Sequence, residues 1–145
     1  MEIKVLTTTH KPAMRVLIKE VLEHQGLLPE FFWPEDMLGP EIATAEAVGV
    51  FHEKQLVGFV LYRDNPQAWE ISLVASHPRH RRAGYMKALI AHLIGAKGQE
   101  KELWLEVHEK NTKAQNLYEK LGFRRSGQRP RYYRDGATAF MYSCP

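Results

Sequence analysis

Three arginines and two histidines fall within six residues at the start of "HPRHRRAGYMKALIAHLI", His77 to Ile94, and Gly84 follows before an apolar stripe begins at helical spacing. The first amides of a helix have no internal acceptor, and the helix dipole adds partial positive charge there, so a phosphate binds with little side-chain help. Gly84 lacks a Cβ and lets the backbone approach a bulky diphosphate, while Arg81, Arg82 and Lys87 add charge. A solvated basic loop that ends a strand has the same composition, and these residues alone leave both readings open.

Other residue types in the chain suggest other chemistry, each with an ordinary structural role beside it. His77 and His80 form a His-x-x-His that lacks the further ligands a catalytic zinc requires, so no metal is expected and surface histidines near a phosphate are. Cys144 stands one residue from the C-terminus and far in sequence from the basic loop, a poor position for a covalent nucleophile. In "KELWLEVH", Leu103, Leu105 and Val107 alternate against Trp104, Glu106 and His108. Glu106 therefore either lines a cleft or pairs with a nearby basic residue. Tyr118 shares the Ala114, Leu117, Leu121 stripe, and by spacing alone it is a half-buried core tyrosine.

The elements that must position these residues follow from periodicity. "EIKVLT" reads as a strand. "HKPAMRVLIKEVLEHQG" places Met14, Leu17, Ile18, Val21 and Leu22 on one helical face, with Pro12 at its start and Gly26 past its end. "LLPEFFWPEDMLGPEIATAE" carries three prolines and three large aromatics and reads as a loop with one or two short helices. "AVGVFHEKQLVGFVLYRDNP" gives two strands around a tight polar turn at Glu53 to Gln55, and "AWEISLVAS" gives a third. Met86, Leu89, Ile90, Leu93 and Ile94 then mark a helix, "KELWLEVH" a strand, and "NTKAQNLYEKLGF" a helix capped by Asn111 and closed by Gly122. "GFRRSG" and "ATAFMYS" are the last strands. The order predicts a mixed α/β sheet with helices on its faces, including a right-handed strand, helix, strand crossover.

The whole chain sets the outer bounds. At 145 residues, 44% hydrophobic and 26% charged, it has the make-up of a single globular domain over residues 1–145, and no segment reaches the roughly 20 apolar residues of a membrane span. The unpaired cysteine and the absence of a signal-peptide layout in "MEIKVLTTTH" point to a reducing cytoplasm. A net charge of +3 and a pI near 9.0 suit an anionic ligand, nucleic acid or an acidic surface equally well. The arginines are more informative, because Arg79, Arg81 and Arg82 form one group and Arg124, Arg125, Arg129, Arg131 and Arg134 another.

"SHPRHRRAGYMKALIAHLI" resembles the acetyl-coenzyme A loop and helix of the GNAT superfamily of N-acetyltransferases, whose signature is Arg or Gln, two residues, Gly, one residue, then Gly or Ala. Arg81 and Gly84 match, and Met86 stands at the last position. "LWLEVHEKNTKAQNLYEKLGF" resembles the corresponding strand and helix of the ribosomal-protein alanine N-acetyltransferases in that superfamily, without a gap. The likeness runs from about Val48 to Tyr133. It implies the GNAT fold: a mixed, mostly antiparallel sheet of about seven strands, helices on both faces, and a central parallel pair that splays.

The resemblance also implies roles. Val74, Ala75 and Ser76 would meet the pantetheine arm of acetyl-CoA through their backbone. Arg81, Arg82, Ala83, Gly84, Tyr85, Met86 and Lys87 would hold the pyrophosphate, with Asn111 a further cofactor contact. Glu106 would be the general base and Tyr118 the general acid. "RPRYYRDG" resembles the segment bordering the peptide entrance, which gives Arg131, Tyr132 and Tyr133 to the acceptor; "DGATAF" after it departs from the family, lacking an acidic residue.

Direct transfer to an amine follows from these roles. An α-amine with a pKa near 8 costs about 1.4 kcal/mol to deprotonate at pH 7, and a lysine-like amine near 10.4 roughly 4.6 kcal/mol, so a peptide or protein N-terminus demands less of its base. A small amine such as a polyamine, amino acid or aminoglycoside is the alternative acceptor. A non-catalytic basic domain binding RNA through the arginine groups and Tyr132, Tyr133 is the disfavoured third reading, since Glu106, Asn111 and Tyr118 are all retained. Membrane partners are not expected, and the expected state is a monomer or homodimer.

Overall fold

The computed structural model describes residues 1–24, 35–81 and 83–145, with the side chains of all of these except 35–37. Gly26 and Arg82 lie outside the described residues, as does most of the proline and aromatic stretch that follows Gly26. The order is β1 (Glu2–Val5), α1 (Lys11–Glu23), α2 (Glu35–Thr44), β2 (Glu46–His52), β3 (Gln55–Asp64), β4 (Ala68–Ser76), α3 (Tyr85–Ala96), β5 (Glu102–His108), α4 (Thr112–Lys120), β6 (Arg124–Arg129) and β7 (Ala139–Cys144), with short 3-10 turns at Thr8–His10 and Pro78–His80. Among the described residues seven strands form one sheet in the order β1-β2-β3-β4-β5-β7-β6. Its neighbours are antiparallel except β4 and β5, which are parallel. This is the mixed sheet that the sequence predicts.

Each face of the sheet buries its own core. Met14, Leu17, Ile18 and Val21 of α1, with Leu38 and Ile42 of α2, pack on Phe59, Leu61, Leu73 and Ala75. Leu89, Ile90 and Leu93 of α3, with Tyr118 of α4, pack on Val60, Ile71, Leu103, Leu105 and Val107 on the other face. The apolar period of the sequence switches between 2 and 3.6 where these elements change, which is why the element types are legible without the structure. Central β3 is buried on both faces from Leu56 to Leu61, so its run is continuously apolar rather than alternating.

Two local features differ from the sequence expectation. The polar turn between β2 and β3 is two residues long, Glu53 and Lys54, both at positive φ (48° and 66°), and Gln55 already belongs to β3. Such left-handed pairs match the twist of a two-residue hairpin. The stretch read as a loop with one or two short helices does contain a helix, but a longer one than expected: residues 35–44 form the ten-residue α2, with Pro40 inside it. Thr44 Oγ1 donates to the Pro40 carbonyl at 2.9 Å, giving that last turn a side-chain hydrogen bond.

The sheet opens at its middle. β4 and β5 pair only at Ala68 with Glu102, Trp69 with Leu103 and Glu70 with Trp104. Just beyond, the β3–β4 register steps from Tyr62 and Ile71 to Leu61 and Leu73, leaving Ser72 as the extra residue of a bulge. A bulge bends its strand and raises the local twist, turning β4 away from β5 where pairing stops. Buried Glu41 of α2 pins it: its carboxylate accepts from Ser72 Oγ at 2.7 Å and from the Arg63 guanidinium at 2.7 Å.

Candidate active site

The splay leaves a cleft of about 1560 Å³, whose lining includes Val74 and Ser76 on β4, Leu105 to His108 on β5, and the starts of α3 and α4. That exceeds the 300–1,000 Å³ of an ordinary small-ligand pocket and gives room for two substrates at once.

One wall is the unpaired edge of β4. The His77 amide donates to the Val57 carbonyl at 2.8 Å, so the backbone of His77 faces β3. Backbone groups alternate between the two edges of a strand, so those of Ala75 also face β3 while those of Val74 and Ser76 face the open cleft. Of the three β4 residues expected to meet a ligand through the main chain, two present free-edge groups and Ala75 does not. Ala75 instead buries its methyl against the α1 face.

This edge leads to the N-terminus of α3. Gly84 caps the helix in the left-handed region (φ 81°), and an added Cβ there would meet no atom within 4 Å. The first intrahelical bond runs from the Ala88 amide to the Gly84 carbonyl at 3.0 Å, which leaves the Tyr85, Met86 and Lys87 amides without helix acceptors. No acidic side chain stands in this first turn, so the dipole is open to an outside anion. Gly84, Tyr85, Met86, Lys87 and Arg81 line the cleft, with the Arg81 guanidinium also donating to the Ser76 carbonyl at 3.4 Å. Ala83 is exposed beside them. Met86 turns its side chain onto the sheet over Gly58, where a Cβ would lie 3.6 Å from the Met86 methyl.

α4 supplies the third wall. Asn111 caps it, its Oδ1 accepting the Ala114 amide at 3.2 Å, and lines the cleft together with Lys110 and Lys113. Tyr118 is buried (5% exposed) yet also lines the cleft, and its hydroxyl meets no protein partner among the described residues. Burial pushes its phenol well above the ordinary tyrosine value, so it holds its proton at neutral pH.

The far end is made of side chains. Glu106, one fifth exposed, reaches Arg129 of β6 at 3.4 Å. Tyr132 and Tyr133 stand in the β6–β7 loop at the same end, both phenols raised by burial first and then by the Glu106 carboxylate. Glu41, Arg63 and Glu70 complete this wall. The polar face of β5 thus does both things its sequence allows: Glu106 lines the cleft and pairs with a basic residue.

Two expected residues fall elsewhere, and a third, His108, stays in the cleft lining with its ring buried. Arg131 takes a left-handed turn conformation (φ 55°), is exposed and does not line the cleft, whereas Arg134 does. His77 is not at the surface: it is 5% exposed, with its Nε2 against the Glu20 carboxylate. His108, grouped with Trp104 and Glu106 by alternation, is also buried (1% exposed) and bonded to Asp135 at 2.8 Å. Sequence reading missed Lys110, Lys113 and Glu70 in the lining; the two lysines flanking Asn111 in "EKNTK" were its only available signal.

The arginines near the C-terminus do not form a single patch facing the cleft. Arg124 to Arg129 belong to edge strand β6, where charge guards an unpaired edge; Arg125 also lies 3.7 Å over the Phe140 ring. Cys144 is buried in β7 and does not line the cleft.

This geometry agrees with comparisons against known proteins. The Acetyltransferase (GNAT) family matches residues 16–123. The chain is 32% identical over 127 residues to N-alpha-acetyltransferase RimI of Mycobacterium tuberculosis, covering 82% of this chain and 79% of that protein. It is 33% identical over 116 residues to an uncharacterized protein of Mycobacterium leprae, covering 75% of this chain but 32% of that longer protein. It superimposes on the crystal structure of the ribosomal-protein-S18-alanine N-acetyltransferase from Escherichia coli with a TM-score of 0.81, at 27% identity, over 99% of this chain and 92% of that one. With the splayed parallel pair, the uncapped helix and the family match on one chain, this protein belongs to the acetyltransferase (GNAT) family and is an N-acetyltransferase.

Proposed function

We propose that the protein transfers acetyl from acetyl-CoA directly to the N-terminal α-amine of a peptide or protein, residues 1–145 acting as a single N-acetyltransferase domain. The observation that carries this reading is the continuous path from the uncapped N-terminus of α3, along the free edge of β4, to Glu106 and Tyr118. The α3 amides, with Arg81 and Lys87, suit a pyrophosphate; Val74 and Ser76 offer main-chain partners to the pantetheine amides. Asn111 keeps its cap and adds a side-chain contact. Acetyl-CoA supplies the activated acyl group, and an N–H of the β4 edge polarises its carbonyl as charge develops.

The protein's own groups handle the protons. Glu106 takes a proton from the acceptor ammonium through a water, and the neutral amine attacks. Tyr118, protonated at neutral pH, gives its proton to the departing sulfur; the nitrogen of the tetrahedral intermediate loses its second proton to solvent, and solvent reprotonates the tyrosinate. Tyr132 and Tyr133 offer flat apolar surface and hydroxyls to the acceptor's backbone. The similarity to RimI and to the S18 alanine acetyltransferase supports a protein N-terminus as acceptor.

A small amine acceptor has one feature in its favour, the Glu70 and Glu106 carboxylates at the acceptor end. Thiol release measured in parallel with N-terminal peptides, polyamines and lysine peptides separates the two. Turnover confined to peptides with a free α-amine is the expected result. Turnover confined to polyamines would replace the acceptor assignment, and silence with every acceptor would remove the catalytic reading of Glu106 and Tyr118.

A further inference from the structure

The two strands that splay end in the same way. His77 directly follows β4 and His108 is the last residue of β5, and both rings are buried. In each, Nδ1 accepts the backbone N–H two residues on: Arg79 to His77 at 3.1 Å and Lys110 to His108 at 3.1 Å. An accepting Nδ1 fixes the tautomer that carries its hydrogen on Nε2. Each Nε2 then meets a carboxylate from an element distant in sequence, Glu20 of α1 for His77 and Asp135 of the β6–β7 loop for His108.

We propose that His77 and His108 are matched positioning residues, His77 holding the donor loop and His108 the acceptor loop. The assignment of substrates to the two ends rests on the reading above. On the donor side, His77 ties the chain leaving β4 to α1. Its carbonyl accepts the His80 amide at 3.0 Å and its ring meets that of His80 edge-on at 5.0 Å, so the segment leading to Gly84 starts from a fixed point. On the acceptor side, the Asp135 carboxylate bridges the His108 ring at 2.8 Å and the Ala137 amide at 2.9 Å. The Tyr133 ring stacks on His108 at 4.9 Å. The loop that carries Tyr132 and Tyr133 is thereby fastened to β5 two residues beyond Glu106.

Both carboxylates are partly exposed, 37% for the Glu20 side chain and 47% for Asp135, so either can be shortened without opening the core. A buried hydrogen bond to a charged partner is worth enough that its loss releases a loop, and about a tenfold change in KM is the expected scale.

Glu20→Ala should raise KM for acetyl-CoA about tenfold and leave the acceptor KM within about twofold; Asp135→Ala should do the reverse, with kcat little changed in both. Glu20→Gln and Asp135→Asn keep an oxygen for Nε2–H and should restore most of the loss. His108→Asn retains an acceptor for the Lys110 amide but falls short of Asp135, so it should behave as Asp135→Ala does. Hydrogen exchange followed by mass spectrometry reads the same point without turnover. Faster exchange over residues 79–88 in Glu20→Ala and over 131–138 in Asp135→Ala is expected. A parallel rise of both KM values in each variant, or lowered Tm with unchanged KM and exchange, would overturn the proposal. If the wild type is silent with every acceptor, the functional reading falls while exchange still decides whether the two clamps exist.

Discussion

The two halves of the cleft, donor and acceptor in the function proposed above, are built from different materials. The donor half is mostly main chain: the free edge of β4, the amides of an uncapped helix, and a glycine with no side chain to intrude. The acceptor half is mostly side chain: Glu106 against Arg129, two tyrosines, and Glu41 between Arg63 and Ser72. Backbone groups are common to every residue type, so recognition in the donor half should depend little on the side chains at positions 76 and 86. A side-chain wall has no such tolerance. Single substitutions there change charge and shape directly, which is where differences in acceptor choice between relatives of one fold must arise.

The strongest way to sharpen this contrast is Tyr118→Phe. The substitution keeps the ring in the core and removes only the hydroxyl that faces the cleft. Turnover should fall roughly 100-fold, in the range of a lost general acid, with both KM values within about twofold. Equal wild-type turnover would dismiss Tyr118 as the acid and reduce it to a core residue.

Next in size is a paired test in the donor half. Gly84→Ala forces a Cβ onto a left-handed residue, a strain of order 1 kcal/mol, and should raise KM for acetyl-CoA about tenfold by shifting the helix amides. Ser76→Val changes the side chain and spares the backbone, so KM should move less than about twofold. If Ser76→Val cost as much as Gly84→Ala, recognition by main chain would be the wrong description of this half.

Much of this arrangement was legible in the sequence, for identifiable reasons. The stripes at Met14 to Val21 and Leu89 to Leu93 fixed helices, and Gly84 and Asn111 announced the helix starts that line the cleft. The splay itself was not legible from residue patterns, because the bulge at Ser72 is held by a hydrogen bond that its hydroxyl donates to Glu41, 31 residues away. His77 and His108 were misplaced for a similar reason. His77 was read as a surface histidine of the basic loop and His108 as part of an open face by alternation, whereas Glu20 and Asp135, supplied by other elements, give the buried rings carboxylate partners. Arg131 was expected at the acceptor end from the resemblance of "RPRYYRDG", but its positive φ turns the chain there and it lies outside the lining, whereas Arg134 is in it.

The smallest effect concerns stability and divides the halves by solvent. Tyr118 is buried apart from its contact with the cleft, and desolvation raises its phenol. The unfolded chain ionises near pH 10 while the folded chain keeps the proton, so the stabilisation is complete below that value and is lost as pH rises above it. At pH 10.5 the loss from this one group is about 0.8 kcal/mol, provided that the folded phenol is still protonated there. Tyr118→Phe should therefore flatten the alkaline limb of a denaturant-midpoint profile between pH 9.5 and 10.5, and Tyr132→Phe, whose phenol is also raised but sits on a half-exposed ring, should flatten it less. An unchanged slope in Tyr118→Phe would mean that the Tyr118 hydroxyl is well solvated through the cleft, and the case for a phenol held protonated by burial would lose its physical basis.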